Sequence, residues 1–176
     1  QHAANTMVSG DSVIVASGTY PEIVHTMANG TGGNYITFLG TSLPIVHGFY
    51  LTNSFNNVNG FSIRGTNSTI AVNFGTTGNN CIVQSNRVER TPHDVVQLGM
   101  DYSNPLVAPS NNTIHANRFL DASVNCMNLI GTSHTVSSNW FEKTALLDPS
   151  PGSDGDLLTI AANNCRFIYN YATNWS

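Results

Sequence analysis

Charge is scarce in this 176-residue sequence. Lys, Arg, Asp and Glu together make up 9%, against about 25% in average soluble domains. Six Lys and Arg and a net charge of −4 leave no basic footprint for nucleic acid. No apolar run approaches the roughly 18 residues that a membrane-spanning helix requires, so no membrane insertion is expected. Cysteines number three, at Cys81, Cys126 and Cys165. An odd count at irregular spacing gives neither a disulfide framework nor a CxxC zinc pattern, and the three read as small buried or half-buried side chains. Missing too are the HExxH helix of zinc hydrolases and the Asn-Thr-Asp, Asp-Asp and Gly-His-Gly motifs of sugar hydrolases.

What is present is 40% hydrophobic residues, enough for one sizeable core, in a background of Asn, Ser, Thr and Gly. Polarity without charge suits an extracellular or cell-surface protein. The expectation is a single domain over residues 1–176. Gln1–Val8 reads as one or two turns of helix, and the chain stops at Asn174-Trp175-Ser176 directly after a strand-like run. Neither end reads as a domain boundary, so a segment of a longer chain is expected.

The organising feature is a degenerate repeat. Cys81–Val88, Asn112–Phe119, His134–Phe141 and Cys165–Ala172 share one pattern, and its Asn falls at Asn86, Asn117, Asn139 and Asn170. The intervals are 31, 22 and 31 residues. Twenty-two is a compact coil, and each 31 is that coil plus nine residues, placed in Gly99–Ser110 and in Thr144–Gly155. A second column keeps the same register: Asp94–Leu98, Asn125–Leu129 and Asp156–Ile160. Val96/Met127/Leu158 and Leu98/Leu129/Ile160 share one face, and Gln97/Asn128/Thr159 the other. Alternation with period two, recurring at coil spacing, marks stacked half-buried strands.

Coils of this kind cannot bury their apolar side chains alone. Stacking at about 4.8 Å satisfies the backbone of each against the next and aligns like residues in columns. The fold expected is all-β: a right-handed parallel β-helix solenoid of about six coils, capped by the short N-terminal helix. The repeated Asn suits a corner, tolerating left-handed backbone and passing amide hydrogen bonds up the stack.

Ser9-Gly10-Asp11-Ser12-Val13-Ile14-Val15-Ala16-Ser17-Gly18-Thr19-Tyr20-Pro21-Glu22 resembles the opening coil of the pectate-lyase-like parallel β-helix superfamily. Asn29–Phe38 is similar to its second coil. That superfamily holds polysaccharide lyases, glycoside hydrolases, epimerases, tailspikes and adhesins, so the resemblance implies a fold and leaves function open.

Several residue columns could carry chemistry. Arg87, Arg118, Trp140 and Tyr171 follow the repeated Asn and should face outward, because Val88, Phe119, Phe141 and Ala172 follow with inward parity. Guanidinium and aromatic groups in one stripe suit a polysaccharide, through ion pairs and stacking on sugar faces. Ordinary surface packing is the plain alternative. Gln97 and Asn128 could add polar contacts to substrate. Asp94, Asn125 and Asp156 offer hard oxygen ligands for calcium, and equally suit strand-starting corners. Arg90, Asp121 and Lys143, with Glu89 and Glu142 alongside, read either as a surface ion-pair ladder or as part of a site. His93 beside Asp94 is a candidate acid/base pair. His115 and His134 read as polar wall residues.

Asn139-Trp140-Phe141-Glu142-Lys143 resembles the Asn-x-Phe-x-x-Lys stretch of alginate lyases and chondroitinase-B-type enzymes, with the Lys one residue early. The resemblance implies β-elimination on a uronic-acid polymer, with Lys143 as base and an Arg, here Arg118, assisting. The partner expected is therefore a polysaccharide. The other reading is a non-enzymatic fibre, filament or tailspike module that forms homo-oligomers.

Overall fold

The computed structural model describes residues 1–65, 70–91, 96–98, 108–122, 126–142 and 158–173, without the side chains of residues 90, 91, 97, 98 and 122. Within them the chain is all-β, and every strand pairing is parallel. It winds as a parallel β-helix with three walls.

The first wall stacks β1 (Ser12–Val15), β3 (Ile36–Gly40), β5 (Asn56–Asn59), β8 (Ile82–Gln84), β11 (Thr113–His115), β14 (Thr135–Ser137) and β17 (Arg166–Ile168). Its seven strands mark seven coils, against about six expected. Two longer strands, β2 (Thr19–His25) and β4 (Ile45–Tyr50), run across what becomes two walls higher up. The first half of β4 pairs with β6 (Ser62–Arg64), and its second half with β7 (Val72–Asn73). From that fork the second wall continues as β9 (Arg87–Thr91), β12 (Arg118–Ala122), β15 (Trp140–Glu142) and β18 (Tyr171–Thr173). The third continues as β10 (Val96–Leu98), β13 (Met127–Thr132) and β16 (Leu158–Asn163).

Inward positions of the three walls meet in one core. Phe38, Val58, Val83, Ile114 and Val136 form the column from the first wall. Ile63, Val88, Phe119 and Phe141 come from the second, with the last two rings stacked 5.0 Å apart. Val72, Val96 and Met127 come from the third, each fully buried. Each coil supplies a few apolar side chains per wall, and only the stack makes a core of them.

The corners are held by two hydrogen-bond columns. Before the second wall, Asn86, Asn117, Asn139 and Asn170 form a ladder. The Oδ1 of Asn117 accepts from the backbone N–H of Asn86 (3.0 Å) and from its Nδ2 (3.1 Å). Its Nδ2 donates to the Val83 carbonyl (2.9 Å) and to the Oδ1 of Asn139 (3.1 Å). The pattern repeats from Asn139 to Asn170. The expected relay of amide bonds is therefore present. The left-handed residue, however, is not the Asn but the one before it: Ser85, Ala116, Ser138 and Tyr169 have φ of 55°, 52°, 56° and 55°. The ladder bonds fix the Asn, and the preceding residue takes the turn whatever its propensity.

Before the first wall stands a parallel column: Asn56, Cys81, Asn112, His134 and Cys165. Here the Oδ1 of Asn112 accepts from the Cys81 N–H at 2.7 Å. His134, fully buried, takes the acceptor place of an Asn. Its Nδ1 accepts from the Asn112 N–H (3.3 Å) and its Nε2 faces the Ile130 carbonyl (3.2 Å). Burial lowers the His134 pKa, against the opposing pull of the Ile130 and Pro109 carbonyls, so the ring is neutral. It is a core residue, not the polar wall residue expected. His115 does stand on the wall, its Nδ1 2.9 Å from the Ser137 Oγ.

The N-terminal helix expected over Gln1–Val8 is absent. Residues 1–6 form turns, with the Asn5 N–H bonded to the Gln1 and His2 carbonyls and the Thr6 N–H to that of Ala3. So short a stretch makes too few bonds to offset helix nucleation. The segment still closes the first coil, burying Ala4 and Met7 against the core.

Register also locates the two nine-residue additions. Ser110 bridges Thr132, so Ala108–Ser110 already belong to the regular coil, and the first addition is residues 99–107 between β10 and β11. Glu142 pairs with Leu120 and Leu158 with Met127, so the second lies between β15 and β16. The two additions therefore leave from different corners, one on each flank of the third wall.

Candidate functional site

The outward column of the second wall stands where the repeat places it. Ser62, Arg87, Arg118, Trp140 and Tyr171 are register partners in five successive strands. Alternation turns Arg87, Arg118, Trp140 and Tyr171 to solvent, because their neighbours Val88, Phe119, Phe141 and Ala172 turn in, whereas Ser62 is buried. Trp140 is 43% exposed and Tyr171 54%, with ring centroids 4.6 Å apart and planes tilted by 43°. Two adjacent rungs thus present one continuous aromatic surface.

Below the aromatic pair the wall is cationic. Arg64, Arg87, Arg90 and Arg118 lie on β6, β9 and β12. These are four of the six Lys and Arg in a chain of net charge −4, and Glu89, Asp121 and Glu142 stand on the same wall. Folding gathers four of the five arginines onto one wall.

Two carboxylates order this wall. Glu89 accepts from the Nε of Arg64 at 2.7 Å and from the Nε of Arg87 at 2.6 Å, one on each oxygen. Only 4% of Glu89 is exposed. Burial alone would raise its pKa, but the hydrogen bonds and positive charge of Arg87 and Arg64 hold it below the ordinary carboxylate value. One coil higher, the Nη2 of Arg118 donates to Glu142 at 2.8 Å. The guanidiniums themselves are about half exposed. The register sets Asp121 opposite Arg90, since Leu120 pairs with Glu89 and Ala122 with Thr91. Glu89 itself serves Arg64 and Arg87, and it is buried where the sequence suggested a surface ladder.

Beside this column, where the first wall turns into the second, lies a shallow depression of about 320 Å³. Leu43, Ser85, Asn86, Arg87, Ala116 and Arg118 line it. Leu43 is 45% exposed and, with Ser42, holds φ of 53° and 61°. Neither Arg64 nor Leu43 was singled out from sequence. Arg64 had a signal, because Ser62-Ile63-Arg64 aligns with Arg87-Val88-Glu89 and places opposite charges on adjacent rungs. Leu43 had none, since it reaches the site only through the bend between β3 and β4.

The other candidates divide. Asn128 is 2% exposed on β13, and so lies beneath the surface of the third wall. Gln97 pairs with Asn128 in register, its side chain outside the described residues. Lys143, His93, Asp94, Asn125 and Asp156 all lie outside the described residues. The strands that follow the calcium candidates do stack, with Val96, Met127 and Leu158 in one column. Among the described residues no three His, Cys, Asp or Glu stand close enough to hold a metal ion.

No protein-family model matches the sequence, and no curated protein matches it. Among solved structures, the chain is similar to an alginate lyase from Paenibacillus sp. str. FPU-7, with a TM-score of 0.66 at 14% identity. The likeness covers 98% of this chain and 72% of that one. At that identity what is shared is the fold, and the comparison and the strand pairing agree that the chain is a parallel β-helix.

Proposed function

We propose that this protein binds an anionic polysaccharide along its second wall and cleaves it by β-elimination. The observation that carries the reading is the gathering of four of the five arginines, three of them ion-paired yet about half exposed, on the wall that also carries the exposed Trp140–Tyr171 pair. A uronic-acid polymer offers carboxylates to the guanidiniums and apolar ring faces to the aromatics. The likeness of fold to an alginate lyase supports the same class of polymer. A secreted or surface location suits such a substrate.

In the reaction, Arg118 neutralises the carboxylate of the sugar and so acidifies the proton at the adjacent C5. Lys143, next in sequence to β15, takes that proton, and His93 is the alternative base. The electron pair left at C5 forms the C4–C5 double bond as the C4–O4 bond breaks, and the departing O4 takes its proton from solvent water. Asp94, Asn125 and Asp156 are the residues that would hold a calcium ion.

The test is incubation with alginate, pectate and chondroitin, with calcium and with a chelator. Unsaturated-uronate absorbance should rise on at least one polymer and vanish in Lys143→Ala. No rise on any of them, in either condition, removes the lyase reading. A second reading, a fibre or adhesive module assembled end to end, draws on the low charge and the Asn-, Ser- and Thr-rich walls. Mass photometry that finds only monomers at micromolar concentration would remove it.

A further inference from the structure

We infer that the depression at the corner between the first and second walls is a subsite for one acidic sugar, with Glu89 as the residue that positions its cations. The inference rests on the polysaccharide reading above and adds where, and by what chemistry, acidic is told from neutral.

Three observations converge on this corner. The first is shape. The depression of about 320 Å³ lies at the lower end of the range of small-ligand sites, about 300–1,000 Å³. The second is its lining. Arg87 and Arg118, on adjacent rungs about 4.8 Å apart, face it from the second wall. Leu43 faces it from the β3–β4 bend, as an exposed apolar surface on which one face of a pyranose ring can rest. A carboxylate on that ring would then meet two planar guanidiniums, the arrangement that favours carboxylate over hydroxyl.

The third observation is the ordering of the cations. Glu89 points from an outward wall position yet is 4% exposed. A buried carboxylate is costly unless fully paired, and here each oxygen takes one arginine Nε. Engagement through Nε leaves the orientation of the guanidinium plane fixed about its inner edge. Arg87 is thereby held at the depression, and Arg64 sets the other side of the same carboxylate. Arg118 is restrained in the same sense by Glu142. The site is distinct in chemistry from the Trp140–Tyr171 pair above it, which meets any sugar by its ring face.

Calorimetric titration tests this with two hexasaccharides that differ only at C6: a β-1,4-linked mannuronate hexamer and mannohexaose. The unmodified chain should prefer the acidic hexamer. Glu89→Gln and Arg87→Lys should each lower that preference by about tenfold, the equivalent of one charge-assisted hydrogen bond. Arg87→Lys keeps the charge and the fold while removing the planar fork, so it decides the matter if Glu89→Gln does not fold. Trp140→Ala should weaken both hexamers by the same factor. If Arg87→Lys weakens both alike, or neither, the subsite is wrong and polymer binding stands. If the unmodified chain binds no acidic hexamer, both readings fall.

Discussion

Replacing Asn117 by Ala is the sharpest test of what holds the coils in register. Asn117 is 2% exposed and sits in the middle of the amide ladder. Truncation removes four hydrogen bonds: two accepted from Asn86, one donated to Val83 and one donated to Asn139. The damage is unequal. The Nδ2 of Asn86 keeps the Val58 carbonyl, and the Oδ1 of Asn139 keeps the backbone N–H of residue 117. The backbone N–H of Asn86 loses its acceptor, and the Val83 carbonyl loses a donor. One buried orphan plus the lost network bonds gives about 2–4 kcal/mol, a large part of the roughly 5–15 kcal/mol that holds a typical domain folded. Urea unfolding, with the slope unchanged, should report that loss as a lower midpoint. Asn117→Asp keeps the shape but loses the donor and buries a charge facing carbonyl oxygens. Its folded carboxyl pKa would be raised, so its destabilisation should be largest at neutral pH and shrink as pH falls through that raised value. Asn57→Ala, whose Oδ1 accepts one 3.3 Å bond from Gln84 on the open first wall, should change stability by less than about 0.5 kcal/mol. An Asn117→Ala loss no larger than that of Asn57→Ala would refute the ladder as the source of register.

Two further outcomes follow from the buried groups. The neutral ring of His134 has a folded pKa below its unfolded one, so the unfolded chain binds the extra proton. The melting temperature should therefore hold above about pH 6.5, the ordinary histidine value, and fall as pH drops below it. His134→Asn, which supplies the acceptor that this column uses at Asn112, should flatten that dependence; an unchanged slope would exclude His134 as its source. Burial pushes the Cys81 thiol up to about 12 and that of Cys126 up as well, while Cys165 is partly exposed. A thiol reagent at neutral pH should label Cys165 in the folded protein and all three after denaturation, and rapid labelling of Cys81 in the fold would contradict the packing.

Columns were the part of the fold that the sequence made legible. Asn86, Asn117, Asn139 and Asn170 recur because each must fill the same hydrogen-bonding place, and one residue type does it best. The outward stripe Arg87, Arg118, Trp140 and Tyr171 could be read from them by counting one residue on. Local geometry was less legible. Ala116 and Tyr169 have no preference for positive φ, yet they take it because the ladder fixes the Asn that follows. His134 hid in the Asn column because only its acceptor nitrogen matters there, a likeness of lone pairs and not of residue type. Glu89 read as a surface charge because burial depends on what lies across the wall, and the partner that completes it, Arg64, is 25 residues away.

The ladder also explains how the solenoid tolerates coils of unequal length. Asn86 and Asn117 are 31 residues apart and Asn117 and Asn139 only 22, yet the two amide steps match within 0.1 Å. The extra length must then lie wholly outside the bonded positions. Register places it: Leu98 pairs with Leu129, and Ser110 with Thr132, so Ala108 corresponds to Ile130 and Pro109 to Gly131. Gly131 fits that contact because a Cβ there would lie 2.0 Å from the Pro109 carbonyl oxygen. Joining Leu98 directly to Ala108 would reproduce the Leu129–Ile130 step of the compact coil. Deletion of residues 99–107 should accordingly leave a folded protein with unchanged far-ultraviolet circular dichroism and an unfolding midpoint close to that of the full chain. Deleting nine residues that include Ala108–Ser110 should instead remove the bond from the Ser110 N–H to Asn79 at 2.7 Å and collapse the midpoint. If the two deletions behave alike, chain length at this corner and not register is what the fold requires.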